Sequence, residues 1–358
     1  MNDRYSRQER FFGIGKDGQE KIRRSRVAII GLGALGTVIA EELTRAGIGF
    51  LRLIDRDFVE LHNLQRQMLY DEEDARMHRL KVEACAQHLH SINSEVQVVA
   101  FPEDFNYGNA ESFLQDVDLI LDGTDNLETR YLINEVCVKL RKPWIYGGAV
   151  EAQGMTMSFL PGGACFSCVT GTVEPFMNQS TQKTCSTAGV LSPATAIVAS
   201  LEVKEALKIL VSADALEHGL ITFDLWKNSF HHFHPEKKAD CPICQRQKFH
   251  YLGHVAGVRA SRLCGEDSIQ ILPEKRCHMS LDALEKKLSD LGQVRKNKYY
   301  LSFEGNDASF QVFYDGRAII LHVTSEAKAK AIYSEYIGLL RGKFGWKRKI
   351  EMIPKKEF

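Results

Sequence analysis

The chain has 358 residues, 44% of them hydrophobic and 26% charged, and its 46 basic and 46 acidic side chains cancel to a formal net charge of zero. Balanced charge argues against a whole-molecule field that attracts nucleic acid or a membrane surface. No apolar run approaches the roughly 18 residues of a transmembrane helix, and the polar N-terminus lacks the apolar core of a signal peptide, so we expect a cytoplasmic protein with no nucleic-acid or membrane partner.

The first half of the chain alternates between short apolar strands and helical segments. Val27–Ile30 has the pattern of a buried strand, and it leads into a glycine-rich turn and a helix that ends at Gly47. Further strands are expected at Phe50–Ile54, Val96–Ala100, Val117–Leu121 and Trp144–Gly147, with helices around 81–91 and 128–140 between them. Strands separated by helices predict an α/β fold with a doubly wound, mainly parallel, Rossmann-like sheet.

Beyond residue 153 the pattern changes. Met155–Leu160 and Leu220–Trp226 read as antiparallel strands that continue the sheet, and a long helix, Ser192–Leu210, lies between them with Pro193 in its first turn. The C-terminal part predicts a small α/β unit, with strands Tyr299–Phe303, Phe310–Tyr314 and Ala318–Val323 and helices Leu281–Leu291 and 326–340. We therefore predict a main domain at 1–245, a small α/β appendage at 255–340 and a basic tail at 341–358.

The first motif with chemical meaning is the glycine-rich turn. Gly31-x-Gly33-x-x-Gly36 follows a strand and opens a helix, and Asp55 stands about 20 positions further on. Glycines let the backbone approach a phosphate, the helix N-terminus attracts its charge, and an acidic residue at this spacing binds ribose hydroxyls. The motif predicts a nucleotide, and taken alone it favours a nicotinamide or flavin oxidoreductase. The alternative is a glycine turn without a ligand.

The next segment favours a triphosphate over a dinucleotide. Asp55 and Asp57 lead into Asn63-Leu-Gln-Arg66-Gln, and Lys81 stands near the start of the following helix. A dinucleotide is held by backbone amides, whereas a triphosphate that loses pyrophosphate needs cations to stabilise the leaving group. For any single one of these side chains, the alternative is a solvated position on the surface.

A second acidic segment, Asp122-Gly-Thr-Asp125-Asn126, ends another predicted strand. In a doubly wound sheet this position lies at the carboxyl edge, in the same crevice as the glycine turn. Asp125 is therefore a candidate ligand for a Mg²⁺ ion that bridges the phosphates.

The nine cysteines are an odd number with uneven spacing, which in a reducing compartment favours metal ligands or reactive thiols. Cys165-x-x-Cys168 and Cys241-x-x-Cys244 supply four thiolates, a ligand set for tetrahedral Zn²⁺. Four thiolates leave no open coordination position, so the predicted zinc is structural and joins two remote segments. The alternatives are buried cysteines without a metal and, less favoured, a redox pair.

Cys185 belongs to neither pair and follows a polar loop. A thiol there could form a covalent intermediate with an activated carbonyl, or it could be a small residue packed under the loop, and the sequence does not separate these. His231, His232 and His234 look like a metal cluster, but we predict that they alternate along a strand as surface residues.

Together these residues resemble the ThiF/MoeB/HesA family, bacterial relatives of the ubiquitin-activating enzymes. The resemblance covers residues 1 to about 245 and depends on Arg4–Gln8, Gly31–Gly36, Asp55–Asp57, Asn63–Gln67, Lys81, Asp122–Asn126, both cysteine pairs and Thr184–Gly189. It implies an adenylyltransferase that uses ATP to activate the C-terminal carboxylate of a small ubiquitin-like sulfur-carrier protein ending in Gly-Gly, in thiamine or molybdopterin biosynthesis. It also implies a homodimer that binds ATP and Mg²⁺, beside the structural Zn²⁺ predicted from the cysteines.

The resemblance assigns roles to individual residues. Asp55 would hold the ribose, with Asp57 beside it in the nucleotide site. The phosphates would be bound by Asn63, Arg66 and Lys81, and the magnesium by Asp125. Arg7 would reach into the site from the other subunit, and Cys185 matches a cysteine that links covalently to the carrier in some relatives, while others use a separate sulfurtransferase.

The sequence departs from the family pattern at two places. The segment before Lys81 is Met77-His-Arg-Leu, where relatives commonly have Gly or Pro, and no rhodanese domain is evident at the C-terminus.

The alternatives are a non-catalytic scaffold for a ubiquitin-like partner and, less favoured, a nicotinamide oxidoreductase. A scaffold has no need for the cations at Arg66 and Lys81, and an oxidoreductase leaves the cysteine pairs unexplained.

Overall fold

The computed structural model describes residues 3–171, 188–212, 216, 219–253, 259–262, 268–273, 279–297 and 299–337. The chain divides into two compact units, Met1–His254 and Val255–Phe358, and each is described by itself. Within the described ranges, no helix combines the length and the apolar character needed to cross a membrane.

The first unit is built on an eight-stranded mixed sheet. Its strands are β1 (Arg26–Ile30), β2 (Phe50–Ile54), β3 (Gln97–Phe101), β4 (Leu119–Asp122), β5 (Trp144–Val150), β6 (Gln153–Phe159), β7 (Leu220–Asp224) and β8 (Ser229–Phe233), in the order β3-β2-β1-β4-β5-β6-β7-β8. The first five strands pair in parallel, and β6, β7 and β8 continue the sheet in antiparallel pairing. The predicted fold class, a doubly wound parallel sheet that continues into antiparallel strands, is confirmed.

The strand order reverses at β1, which lies between β2 and β4. In register, Ile30 at the end of β1 pairs with both Ile54 of β2 and Asp122 of β4. The residues that follow these three strands therefore meet at one edge of the sheet, which is where open α/β sheets bind ligands.

Nine helices in the described part of the first unit surround this sheet. They are α1 (Ser6–Glu9), α2 (Gly15–Arg24), α3 (Ala34–Ala46), α4 (Glu72–Arg76), α5 (Lys81–Ile92), α6 (Ala110–Leu114), α7 (Leu127–Leu140), α8 (Phe166–Thr170) and α9 (Ser192–Val211). The long helix α9 packs against α3 and against β5 and β6 on one face, while α6 and α7 share an apolar core with the other face. As predicted, α3 ends at Gly47, whose φ of 83° only glycine adopts readily.

The core on the α7 face is rich in aromatic rings. Phe166 packs edge-on against Tyr131 and Phe159 and lies within 5.8 Å of the Trp144 ring centroid. The buried carboxylate of Glu135 on α7 accepts three backbone N–H bonds of 2.8 Å from residues 250–252. These bonds attach the segment that follows the second cysteine pair to the core of the first unit.

The described part of the second unit contains a six-stranded antiparallel sheet and two helices. Its strands are β9 (Arg259–Arg262), β10 (Ser268–Leu272), β11 (Gln293–Lys296), β12 (Tyr300–Glu304), β13 (Ser309–Phe313) and β14 (Ala318–Leu321), in the order β11-β12-β13-β14-β10-β9. The helices are α10 (Leu281–Leu288) and α11 (Glu326–Ile332), the latter followed by a π-helical turn, Tyr333–Ile337. Helix α10 stops before Leu291, which is exposed and not part of the apolar stripe.

Candidate functional site

The glycine-rich turn joins β1 to α3 and faces the loop after β4. Gly31 has a φ of 85°, and a Cβ there would lie 2.7 Å from the Gly123 carbonyl oxygen. A Cβ at Gly36 would collide with the Gly31 carbonyl oxygen, so both positions require glycine. At Gly33 the nearest atom would be 3.9 Å away, which leaves this backbone open to the crevice. The first N–H groups of α3 point to this space and make it suitable for an anion.

Asp55 lies directly beside this turn. Its Oδ2 accepts a 2.6 Å hydrogen bond from the Leu32 N–H, and its Oδ1 accepts one of 2.7 Å from the Asp57 N–H. Burial raises the pKa of Asp55, while the nearby Lys81 ammonium opposes that shift. The two backbone donors hold the carboxylate at the carboxyl end of β2, where it can accept from ribose hydroxyls.

Lys81 begins α5 and points into the crevice from a buried position. Its Nζ lies 3.3 Å from Asp57 Oδ2, and its backbone N–H donates to the Asp57 carbonyl at 2.9 Å. Burial disfavours the charge on Lys81, but the Asp57 and Asp55 carboxylates outweigh it and hold the pKa of Lys81 above its ordinary value. The Tyr70 hydroxyl donates to the Leu32 carbonyl at 3.0 Å, which ties this segment to the glycine turn.

Asn63 and Arg66 come from the short helical segment that precedes α4. The buried Asn63 caps the turn by accepting the Glu60 N–H at 3.2 Å. Arg66 is half-buried, and its Nη1 donates to the His62 carbonyl at 3.1 Å. The segment before Lys81, where the sequence departs from the family pattern, contains His78 with a φ of 47° and its ring stacked on Phe58 at 4.4 Å. Glycine would adopt this left-handed φ without strain, whereas a residue with a side chain adopts it less readily.

The loop after β4 is held by a buried ion pair that the sequence did not suggest. Asp122 accepts from the Thr124 N–H at 2.9 Å and from Arg130 Nε at 2.9 Å. Arg130 Nη2 in turn donates to the Thr124 carbonyl at 2.6 Å and to the Gly147 carbonyl at 3.0 Å. Asp125 follows Thr124 and is exposed at this edge of the sheet. Arg130 thus fixes the loop that presents Asp125. The sequence feature that could have pointed to Arg130 is its position one helical turn after Asn126, which caps α7 next to this loop.

A second cation that the sequence did not single out, Arg56, also lies at this edge. Its Nη1 lies 2.5 Å from Asp104 Oδ1, and its Nε lies 3.7 Å from Asp57 Oδ1. Burial disfavours its charge, but Asp104, Asp57, Asp55 and Asp125 together raise the pKa of Arg56 above its ordinary value. Asp57 therefore lies between two cations, Arg56 and Lys81.

Arg7 is not brought to this site within one chain. It lies on α1, and its neighbour Gln8 donates to the Ala46 carbonyl at the C-terminal end of α3. The 13 residues of α3 span about 20 Å at a rise of about 1.5 Å per residue, so Arg7 is near the far end of that helix from Gly33. The Arg7 side chain is exposed and makes no hydrogen bond or ion pair with any residue that the structure describes.

The four cysteines converge as the sequence predicts for a metal site. The Sγ–Sγ distances are 3.8 Å for Cys165–Cys168, 3.7 Å for Cys165–Cys241 and 3.6 Å for Cys168–Cys244. A tetrahedron with Zn–S bonds of about 2.3 Å has edges of about 3.8 Å, so the thiolate spacing fits a tetrahedral ion.

The other candidate ligands do not form such a cluster. Cys185 lies outside the described residues. His231 and His232 lie on opposite faces of β8, His234 follows the strand, and all three are exposed. Elsewhere in the described chain, Asp71, Asp74 and His88 come together, but the Asp74 carboxylate already accepts from Arg79 and bonds His88 at 2.7 Å.

Comparison with known proteins places these features in one family. Residues 5–243 match the ThiF family. The chain is 39% identical over 342 residues to the sulfur carrier protein ThiS adenylyltransferase of Bacillus subtilis, covering 94% of this chain and all of the relative. It is 36% identical over 250 residues to the protein of the same name in Escherichia coli, covering 68% of this chain and 97% of the relative.

Two further matches cover less or share only the fold. The adenylyltransferase and sulfurtransferase MOCS3 of Aedes aegypti is 36% identical over 244 residues, 67% of this chain and 55% of the relative, so the chain spans about half of that protein. A crystal structure of E. coli MccB with MccA-N7isoASN has a TM-score of 0.60 at 23% identity, covering 68% of this chain and 75% of the other. That likeness shows the fold.

The Arg130 ion pair generates a stability prediction. Because Arg130→Gln leaves the Asp122 carboxylate buried without its cation, the free energy of unfolding should fall by about 3 kcal/mol. The measurement is urea denaturation of the full chain. Arg45→Gln is the matched control, since Arg45 is exposed and pairs with Glu41 one turn away, and it should change stability by less than about 0.5 kcal/mol. Equal effects of the two substitutions would contradict the role given to Arg130.

Proposed function

The chain belongs to the ThiF family, and from this premise we propose that it is an ATP-dependent adenylyltransferase that activates the C-terminal carboxylate of a small ubiquitin-like sulfur-carrier protein. The observation that carries the proposal is the crevice itself. At one sheet edge, Asp55 and Lys81 lie beside an open glycine turn, and Arg130 fixes the loop that presents Asp125. This arrangement suits a nucleotide triphosphate better than a dinucleotide, because a triphosphate needs side-chain cations.

The proposed reaction is a displacement at the α-phosphate of ATP. A carboxylate oxygen of the carrier forms a bond to the α-phosphorus, the bond from that phosphorus to the bridging oxygen breaks, and pyrophosphate leaves with its electron pair. The attacking carboxylate is already ionised, so no general base is required. The chain's contribution is therefore positioning of the two reactants and stabilisation of charge on the leaving group.

We assign the binding roles on the positions of the side chains. Asp55 accepts from the ribose hydroxyls, and the phosphates are bound by Asn63, Arg66 and Lys81. Asp57 keeps Lys81 charged and in place before ATP arrives. A Mg²⁺ ion at Asp125 would neutralise charge on the phosphates as pyrophosphate forms.

The alternatives raised by the sequence receive less support. A nicotinamide oxidoreductase does not account for membership in the ThiF family. A non-catalytic scaffold does not account for Lys81, whose ammonium is buried beside Asp57 at a cost that a surface position would avoid.

For the carrier, we favour a ThiS-like protein of thiamine biosynthesis over one of molybdopterin biosynthesis. The B. subtilis relative named for ThiS matches along its whole length, including the second unit, whereas MOCS3 matches over about half. We place the reaction in the cytoplasm, as expected from the sequence. For Cys185 we keep both interpretations, a covalent link to the carrier and a small residue packed under the loop.

We also assign a structural Zn²⁺ to the four cysteines. The ion would join the start of α8 to the segment after β8, two parts of the chain whose cysteines are 76 residues apart. With four thiolates it has no open position for a substrate, so its contribution is to folding stability.

The assembly we propose is a homodimer in which Arg7 of one subunit serves the nucleotide site of the other. Support comes from the placement of Arg7, which is exposed and near the end of α3 remote from its own glycine turn. A cation from a second subunit would add to the charge stabilisation supplied by Lys81 and Arg66.

The direct test is isotope exchange between pyrophosphate and ATP. Purified zinc-loaded protein should catalyse exchange only with Mg²⁺ and a ThiS-like carrier that ends in Gly-Gly. Lys81→Ala should lower the exchange rate at least about 100-fold, because the leaving group loses its cation. Lys139→Ala, which removes an exposed lysine of α7 paired with Glu111 of α6, is the control and should keep the wild-type rate. Absence of exchange with any such carrier would refute the proposed activity.

Subunit complementation tests the role of Arg7. Arg7→Ala and Lys81→Ala should each be inactive alone. When the two are co-expressed, a mixed dimer has one site with its own Lys81 and the partner's Arg7, so random assembly should restore about one quarter of wild-type exchange. No restoration in mixed dimers purified by two tags would show that Arg7 does not act across the interface.

Metal content tests the zinc assignment. Wild-type protein should contain about one zinc per chain, and Cys241→Ser should lose it together with several degrees of melting temperature, since the ion joins remote segments. Cys85→Ala, which alters a buried cysteine outside the cluster, should retain the metal. Full zinc occupancy in Cys241→Ser would contradict the assignment.

A further inference from the structure

Glu202 is a buried carboxyl group for which the proposed mechanism has no use. It lies on α9 with 0% of its surface exposed, and neither Oε1 nor Oε2 has a hydrogen-bond partner in the described structure. Glutamate is almost never fully buried without a partner, because burying an unpaired carboxylate is strongly unfavourable. Its position therefore needs an explanation.

The Glu202 carboxyl group lies against β5, the strand that Arg130 links to the loop after β4. A Cβ built at Gly147 on β5 would collide with Glu202 Oε1 and would lie 2.8 Å from Leu35 Cδ2 in the first turn of α3. The Gly147 carbonyl accepts the 3.0 Å bond from Arg130, and Arg130 holds the loop that presents Asp125. Glu202 thus contacts the point where α3, β5 and the Arg130 network meet.

A second orphan polar group lies on the same face of the sheet. Thr156 of β6 is the register partner of Gly147, so both face α9, and its buried Oγ1 also lacks a partner. The Thr156 hydroxyl is both a donor and an acceptor, but in the structure it bonds neither carboxyl oxygen of Glu202. Among the described residues no donor compensates a negative charge on Glu202, and a neutral carboxylic acid costs less to bury without partners than a carboxylate does.

The charges around Glu202 agree with a neutral acid. Asp122, Arg130 and Tyr146 face it across the sheet, and Glu42 of α3 is occupied by the Ser200 hydroxyl at 2.6 Å. Burial, followed by the Asp122 charge, raises the pKa of Glu202 well above its ordinary value. Burial raises the pKa of Asp122 as well, but Asp122 accepts bonds from Thr124 and Arg130. Arg130 is one cation near two carboxyl groups. Asp122, which bonds it directly, therefore carries the negative charge, and Glu202 keeps its proton.

From this geometry we infer that Glu202 is a positioning residue of the nucleotide site, which acts as a neutral carboxylic acid behind Gly147 and leaves Arg130 to Asp122. Ionised Glu202 would compete with Asp122 for Arg130 and loosen the loop that presents Asp125. The inference rests on the proposed function, because it concerns the same nucleotide site.

Three variants test this role. Glu202→Gln keeps the shape and a hydrogen-bonding group but cannot ionise, and Glu202→Met removes both properties at similar size. Ser200→Ala on the same helix removes the bond to Glu42 and controls for general weakening of α9. All three are measured as full-length, zinc-loaded protein.

The first measurement is the urea midpoint against pH, without ligand. An acid whose folded pKa is raised contributes stability that is complete below its unfolded pKa and is lost as pH rises through the folded pKa. Relative to Glu202→Gln, wild type and Ser200→Ala should therefore lose stability progressively as pH rises above about 4.5, the ordinary pKa of a glutamate.

The second measurement is calorimetric binding of a non-hydrolysable ATP analogue with Mg²⁺. At pH 7, Glu202→Met should bind about 3- to 10-fold more weakly than wild type, while Glu202→Gln restores affinity to within about twofold. As the pH is raised through the folded pKa of Glu202, the wild-type affinity should decline and that of Glu202→Gln should not.

Glu202→Gln with the wild-type pH dependence in both measurements would overturn the inference, as would wild-type affinity in Glu202→Met. If Glu202→Met fails to fold, the comparison of wild type with Glu202→Gln still decides. Analogue binding needs neither carrier nor turnover, so failure of the adenylation proposal would appear in the exchange assay and not here.

Discussion

The contact among three glycines is the constraint on which the crevice depends. The Gly31 carbonyl oxygen lies so close to Gly36 and Gly123 that a Cβ at either position would collide with it. Because β1 and β4 are neighbours in register, this contact seats the start of α3 directly on the loop after β4. The free N–H groups of the helix, the Asp55 carboxylate and the Asp125 loop consequently face one space. Any side chain at these glycines would separate the parts that have to act on one ligand.

Acidic side chains outnumber basic ones at this edge, and that balance determines how the cations are held. The Asp57 carboxylate lies 3.3 Å from Lys81 Nζ and 3.7 Å from Arg56 Nε, and Asp104 holds Arg56 from its other side. The cations are therefore charged and positioned without a ligand. A triphosphate with magnesium brings more negative charge than one carboxylate and would draw Lys81 towards it, so little reorganisation is needed when the leaving group forms.

The cysteine cluster lies at the opposite ends of the strands from the nucleotide crevice. In register, Phe159 at the end of β6 pairs with Trp144 at the start of β5, and Cys165 follows shortly after β6. The crevice lies at the other ends of the strands, beyond Asp122. This separation supports the proposal that a metal at the cysteines would stabilise the fold without contacting the nucleotide. The aromatic core around Phe166 and the backbone N–H bonds that Glu135 accepts lie near the cysteines, where remote segments of the chain meet.

Local patterns were enough to predict the strand–turn–helix unit, Asp55 after β2 and the ligand chemistry of the cysteine pairs, because each depends on spacing along a few residues. They missed β9, β10 and β11, which are only four or five residues long and become strands by pairing with their neighbours. They also missed Arg56, Arg130 and Glu202. Arg56 meets Asp104 from 48 residues away, and Arg130 meets the Gly147 carbonyl from 17 residues away. The order of the strands in the sheet determines which of these side chains meet. Only the tertiary structure therefore shows which buried charges are paired and which groups must be neutral.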